Sequence, residues 1–196
     1  KMIRIIILFS QFENQASIPK RLAEEIAFFE NLESIESKIF YINSVEDSSN
    51  FLINNQDGGA TILFVASGGT EEYAKILIDY IDNPILLIAN SKQNSLAASL
   101  EILAIYRESK LIKHFYYESL EELIRESNNF VLTTNAIEQI NNSSIGIIGE
   151  PSNWLLTSKN VKSFGSFETK LHNINIDEIT NGVDATSHTL SASKID

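Results

Sequence analysis

Short apolar runs rich in Ile, Leu and Val alternate along this chain with longer segments of helical periodicity. That alternation restricts the fold more than any other feature, because it is the pattern of a parallel sheet covered by helices. Met2–Phe9 reads as a first strand, and Thr61–Ala66 as a third whose continuous apolar character suits burial on both faces. Between them, Ser17 stands where it caps a helix with Ile18, Leu22, Ile26 and Phe29 at helical spacing. Lys38–Ile42 is the second strand, and residues 45–57 are an ambiguous polar stretch with a short helix over Phe51–Ile53. Thr70 opens a helix to about Tyr80, and Pro84–Ala89 is the fourth strand. Asn94 opens an Ala/Leu-rich helix to about Glu108, apolar on most sides and so expected to be well buried. Leu111–Tyr117 is the fifth strand. Ser119 and Glu122 have the spacing of a capping box, with a helix behind them to about Ile140. These units predict a flavodoxin-like or Rossmann-like domain over residues 1–142, a parallel sheet in a three-layer αβα arrangement.

The polar break Asn141-Asn-Ser-Ser144 is a candidate boundary. Beyond it, Ile145–Ile148 reads as a buried strand, followed by a Gly/Pro loop and an alternating stretch over Phe167–Ile176. A last turn of helix starts at Asp177 or Thr180, and the tail from Thr186 is rich in Ser, Thr and Ala. Residues 143–196 are too few to enclose a core alone. They are expected to dock on the first domain or to form the beginning of a second, incomplete α/β domain.

The net charge of −11 would repel a phosphate backbone, so no nucleic-acid partner is expected. The absence of cysteine removes disulfides, thiolate metal sites and Cys nucleophiles from consideration. No apolar stretch approaches the roughly 18 residues of a membrane helix. The apolar run Ile5–Phe9 is too short for a signal peptide and no small-residue cleavage site follows it, so the expected location is cytoplasmic.

Two loops carry the candidate chemistry. In Gly149-Glu-Pro-Ser-Asn-Trp-Leu-Leu-Thr-Ser158, a strand feeds an acid, a hydroxyl, an amide and the chain's single Trp. Loops at the carboxyl ends of strands are where open α/β sheets bind ligands. Trp154 either caps a hydrophobic core at the domain junction or offers a flat apolar face to a sugar, beside Glu150, Ser152 and Asn153. In Ser67-Gly-Gly-Thr-Glu-Glu72, two glycines before a helix could present N–H groups to a phosphate. Glu71 and Glu72 already complement the helix terminus, though, and no Lys follows as in a P-loop, so nucleotide binding is not expected. A tight strand-to-helix turn and a polar rim for sugar hydroxyls, through Thr70 and Glu71, remain as readings.

The loop after the first strand, Ser10–Gln15, lacks the small hydroxyl and Gly pattern of an FMN site and carries Glu13. A phospho-receiver domain would need an Asp after the third strand, which here ends at Ser67. Gln11, Asn14 and Gln15 are either polyol contacts or a solvated loop. His114, His172 and His188 share no ligand spacing with one another or with a carboxylate, and read as packed or surface histidines. Neither a G-x-S-x-G elbow nor an HExxH motif occurs.

Gly149–Ser158 resembles the GEPSDWL stretch of proteins related to L-fucose and L-arabinose isomerases, with Asn153 where that pattern has Asp. Val65-Ala-Ser-Gly-Gly-Thr-Glu71 and Leu87-Ile-Ala-Asn90, leading to Asn94-Ser-Leu-Ala-Ala-Ser-Leu-Glu101, fit the same group in order across residues 1–165. The resemblance implies the N-terminal region of an aldose–ketose isomerase, forming a homo-oligomer and acting on a monosaccharide. Such enzymes move a proton between C1 and C2, with a divalent ion, usually Mn2+, on the two oxygens and carboxylates as base and acid. Their metal-ligating residues lie well downstream of the GEPS-type segment. Glu168, Asp177, Glu178 and Asp184 do not form that motif, so the expectation is no catalytic residue, metal ligand or cofactor in this stretch. Mn2+ belongs to a full-length family member. The alternative is a non-catalytic small-molecule-binding or interaction module.

Overall fold

A computed structural model describes residues 2–32, 36–55, 59–150 and 170–180. The strands β1 (Ile3–Leu8), β2 (Ser37–Ile42), β3 (Thr61–Val65), β4 (Ile85–Ala89) and β5 (Ile112–Tyr116) form one parallel sheet in the order β2-β1-β3-β4-β5. The connections carry α1 (Ile18–Arg21) and α2 (Ala23–Glu30), then α3 (Val45–Asn54), α4 (Glu71–Tyr80) and α5 (Ser95–Ile105), and α6 (Leu120–Asn142) follows β5. This is the flavodoxin-like strand order.

Alternate residues along each strand face opposite ways, and each face has its own core. Ile5, Ile7, Ile62, Phe64 and Ile88 pack with Leu22, Ile26 and Phe29 of the first crossover and with Leu123, Phe130 and Val131 of α6. Ile6, Leu8, Leu63, Val65 and Leu87 pack with Phe51 of α3, Tyr73 and Leu77 of α4, and Ala98 and Ile102 of α5. Two helical layers therefore enclose the sheet, as the alternation of the sequence implies. β1, β3 and β4 are buried along their whole length, which is why each reads as an unbroken apolar run.

Local signals were legible to different degrees. The capping box forms: the Glu122 carboxylate accepts from the Ser119 N–H at 3.4 Å, and Ser119 Oγ accepts from the Glu122 N–H at 3.3 Å. The Glu118 N–H also donates to the Glu122 carboxylate, at 3.0 Å, and the Glu118 and Ser119 N–H groups together hold the Glu122 pKa below its ordinary value. Ser17 does not cap through its side chain. Asn14 caps a 3-10 turn ahead of it, Gln15–Ser17, accepting from the Ala16 N–H at 3.0 Å, and a turn at Leu22 divides the expected helix into α1 and α2. The polar stretch after β2 is a full helix, α3, capped by Ser44, whose hydroxyl accepts from the Asp47 N–H at 3.0 Å. The helix α5 ends at Ile105, and it is less buried than its composition suggests. Ser95, Ala98, Ser99 and Ile102 face inward, while Leu100 and Ile105 are 49% and 57% exposed.

His114 on β5 is half-buried and shares a 3.0 Å hydrogen bond with Ser99 Oγ. Burial lowers its pKa. The unfolded chain therefore holds the proton more readily, and stability falls as pH drops through the ordinary histidine range, about 6.5. In urea titrations between pH 7 and pH 5, His114→Gln is expected to flatten that slope. An identical slope in the variant would contradict the assignment.

The chain divides into two compact units, Lys1–Thr134 and Asn135–Asp196, with the division inside α6. In the second unit, β6 (Ser144–Ile148) and β7 (Lys170–Ile174) form a two-stranded parallel sheet, and residues 176–180 form a helical turn. β6 is not the buried strand its apolar run suggests: Ile148 is 62% exposed. A two-stranded sheet offers each strand a single neighbour and little area to bury against.

Candidate functional site

In the order β2-β1-β3-β4-β5, the chain leaves β1 toward one side of the sheet and β3 toward the other. The point where the direction reverses is where open α/β sheets have a crevice outside the carboxyl ends of their strands. Here that crevice is a cleft of about 430 Å³. Ser10 and Glu13 from the loop after β1 line it, with Ser67, Gly68 and Gly69 from the loop after β3. Gln93 and Asn94 come from the loop after β4, Glu71 from the first turn of α4, and Ala97, Ala98 and Glu101 from α5.

Hydrogen bonds fix these loops to one another. The Ser10 N–H donates to Ser67 Oγ at 2.9 Å, and Ser10 Oγ accepts from the Phe12 N–H at 3.3 Å. Arg21 reaches across, donating to the Ala66 carbonyl at 3.0 Å and to the Glu13 carboxylate at 2.8 Å. Glu13 therefore has a fixed position at the cleft wall. Asn90 Oδ1 accepts from the Lys92 N–H at 2.9 Å, and Ser95 Oγ both accepts from the Asn90 N–H at 3.0 Å and donates to the Val65 carbonyl. Asn90 Nδ2 donates to Tyr117 Oη at 3.1 Å, and that hydroxyl donates to Glu25 at 2.8 Å. Burial raises the Tyr117 pKa well above its usual value, so it stays a neutral donor.

The backbone explains why the glycines are there. The Gly68 N–H donates to the Gln93 carbonyl at 2.8 Å, and a Cβ on Gly68 would lie 3.0 Å from Asn94 Cβ. Gly69 has φ +75°, a conformation that side chains disfavour. Gly69→Ala is expected to lower stability by about 1–2 kcal/mol, measurable by chemical denaturation, and an unchanged midpoint would contradict this account. Opposite the glycines, Gln93 and Asn94 are consecutive non-glycine residues at φ 52° and 59°. Backbone in this region is strained, and such strain clusters at ligand sites.

Among the described residues, Glu13, Glu71 and Glu101 line the cleft and no Lys or Arg does, with Glu13 paired to Arg21. The site disfavours anions and offers hydroxyl, amide and carboxylate groups to a neutral hydrogen-bonding ligand. Among the described residues, no group of three or more His, Asp or Glu side chains converges as a metal ion requires.

Of the residues singled out from sequence, Glu71 lies in the cleft. Thr70 is buried beside it, and its hydroxyl donates to the Ser67 carbonyl at 3.2 Å, so it serves the turn. Gln11 is exposed on the same loop as Ser10 and Glu13 but does not line the cleft. Glu150 is exposed in the second unit, after Gly149 at φ +71°. Ser152, Asn153 and Trp154 lie outside the described residues. The sequence alone does not mark Gln93, Asn94 and Glu101 as ligand contacts. The single clue at Gln93–Asn94 was Asn94, a residue type that tolerates positive φ.

Among the described residues, no helix is long and apolar enough to cross a membrane. Comparison with protein-family models and with curated proteins finds no match to this chain.

Proposed function

We propose that this chain binds a monosaccharide, in ring or open-chain form, at the β1/β3 cleft. In this reading it is the N-terminal region of a protein of the fucose/arabinose isomerase type. The observation that carries the proposal is the cleft lining among the described residues: hydroxyls and amides of Ser10, Ser67, Gln93 and Asn94 with the carboxylates of Glu71, Glu101 and the Arg21-paired Glu13, at the switch point. The Ser67-Gly-Gly-Thr-Glu71 segment of the resemblance falls on this wall. Hydroxyl-rich neutral ligands donate to carboxylates and accept from amides, whereas nucleotide phosphates would meet Glu71 and Glu101, with Arg21 already paired to Glu13.

The residues named here bind and orient the sugar. Proton transfer between C1 and C2, with Mn2+, belongs in this reading to the downstream part of a longer family member, and no catalytic residue is assigned. A cytoplasmic homo-oligomer fits the same reading. The outward face of α5, with Leu100 and Ile105 exposed, supports an oligomer contact. That face also favours the second reading, a non-catalytic interaction module.

The test is a thermal-shift series with L-fucose, L-arabinose, ATP, NAD and FMN. A ligand at 100 times its Kd adds about 2.7 kcal/mol of stability. The sugars are expected to raise the unfolding temperature and the nucleotides to leave it unchanged. Stabilisation by a nucleotide and by no sugar would overturn the proposal.

A further inference from the structure

We propose a second ligand site at the amino edge of the sheet, for a small monocarboxylic acid with an apolar body. Arg4 stands near the start of β1, on the strand face that carries Ile6 and Leu8, and is 3% exposed. Its guanidinium donates to the Asn55 carbonyl at 3.1 Å and to the Gly59 carbonyl at 3.2 Å. Its buried Nε–H has no acceptor among the described residues. Among the described residues, no carboxylate forms an ion pair with it.

Holding two carbonyls uses two of the five guanidinium donors. A loop clamp of that kind needs hydrogen-bond donors and not a full charge, and burying a charge is costly. Burial accordingly lowers the Arg4 pKa. Arg4 is also one of the residues lining a cavity of about 540 Å³ between α3 and α4. That volume lies within the range of small-molecule sites, about 300–1,000 Å³.

The lining determines the ligand. Ile81 is buried with Arg4, Leu52 and Ile76 are half-buried, and Ile53 and Tyr80 stand exposed. One cation at the buried end and an apolar wall leading outward match a carboxylate head and a hydrocarbon body. Asp82, exposed on the same cavity, disfavours a second negative charge and hence a phosphate or a dicarboxylate. The site is separate from the β1/β3 cleft and does not depend on the sugar reading.

Calorimetric titration of the whole chain with octanoate, 1-octanol and inorganic phosphate tests the proposal. Octanoate is expected to bind saturably at one site, 1-octanol at least about tenfold more weakly, and phosphate not at all. Arg4→Met should remove octanoate binding. Because Arg4 also holds Asn55 and Gly59, Ile53→Glu provides the independent variant. It changes an exposed position and should weaken octanoate by about tenfold or more while leaving circular dichroism and thermal stability as in the parent. Absence of saturable octanoate binding, equal affinity for 1-octanol, or phosphate binding as tight as octanoate would each overturn the proposal. Unchanged octanoate affinity in Ile53→Glu would overturn it too.

Discussion

Phe64→Ala is expected to lower the unfolding free energy by about 3–5 kcal/mol, a large part of the roughly 5–15 kcal/mol that holds a typical domain. Phe64 lies on β3, in the middle of the sheet, with no solvent exposure. Its ring meets Phe29 of α2 at a centroid distance of 6.4 Å and Tyr117 after β5 at 6.0 Å, both edge-on. Truncation removes both contacts and leaves a cavity where the sheet, the first crossover and the β5 end converge. Urea denaturation measures the loss. A decrease under about 1 kcal/mol would mean that this core collapses around the gap and is not the one described.

Ser95→Ala is expected to have the second large effect, on stability and binding together. Ser95 is fully buried, and its hydroxyl accepts from the Asn90 N–H at 3.0 Å while donating to the Val65 carbonyl. Alanine removes the partner of two backbone groups, at about 1–3 kcal/mol for each one left buried and unsatisfied. The same hydroxyl ties the loop after β4 to the end of β3, and that loop holds Gln93 and Asn94 at positive φ. Without it the strained turn relaxes, and the cleft loses the wall opposite Gly68. The expected result is a lower denaturation midpoint together with sugar affinity at least about tenfold weaker. Retained affinity at reduced stability would detach the turn from the site.

The core was legible because the physics that buries it is written locally. Ile5–Leu8, Ile62–Val65 and Leu86–Ile88 are apolar because both faces of their strands are covered, and the five-stranded parallel sheet follows from their spacing with helices between. The Ser119–Glu122 pair was legible for the same reason: a cap is a contact over three residues. Two features were less visible. In α5, exposed Ala97, Leu100, Ala104 and Ile105 leave Glu101 as the one charged residue to mark the outer face, so composition alone overstates burial. In β6, an apolar run that would suit a core strand stands largely exposed in a two-stranded sheet.

The site was legible in part. Gly68, Gly69 and Glu71 announced a tight turn at the end of β3. Their meeting with Glu13 on one side and with Gln93, Asn94 and Glu101 on the other depends on strand order. Strand order is set by which crossover packs on which face, and no spacing along the chain encodes it. The positive φ at Gln93 is likewise a product of the Asn90 and Ser95 hydrogen bonds around it rather than of its own side chain.

Chemical-shift mapping of the backbone amides during titration with L-arabinose and L-fucose tests the central claim most directly. It reads both whether a neutral sugar binds and where. The account predicts saturable shifts at Ser10, Ser67–Glu71 and Gln93–Asn94, absent in Glu71→Lys, with Arg4 and Ile81 undisturbed. Saturable shifts confined to other residues, or no saturable shift with either sugar up to about 100 mM, a concentration above the Kd of even millimolar binders, would contradict it.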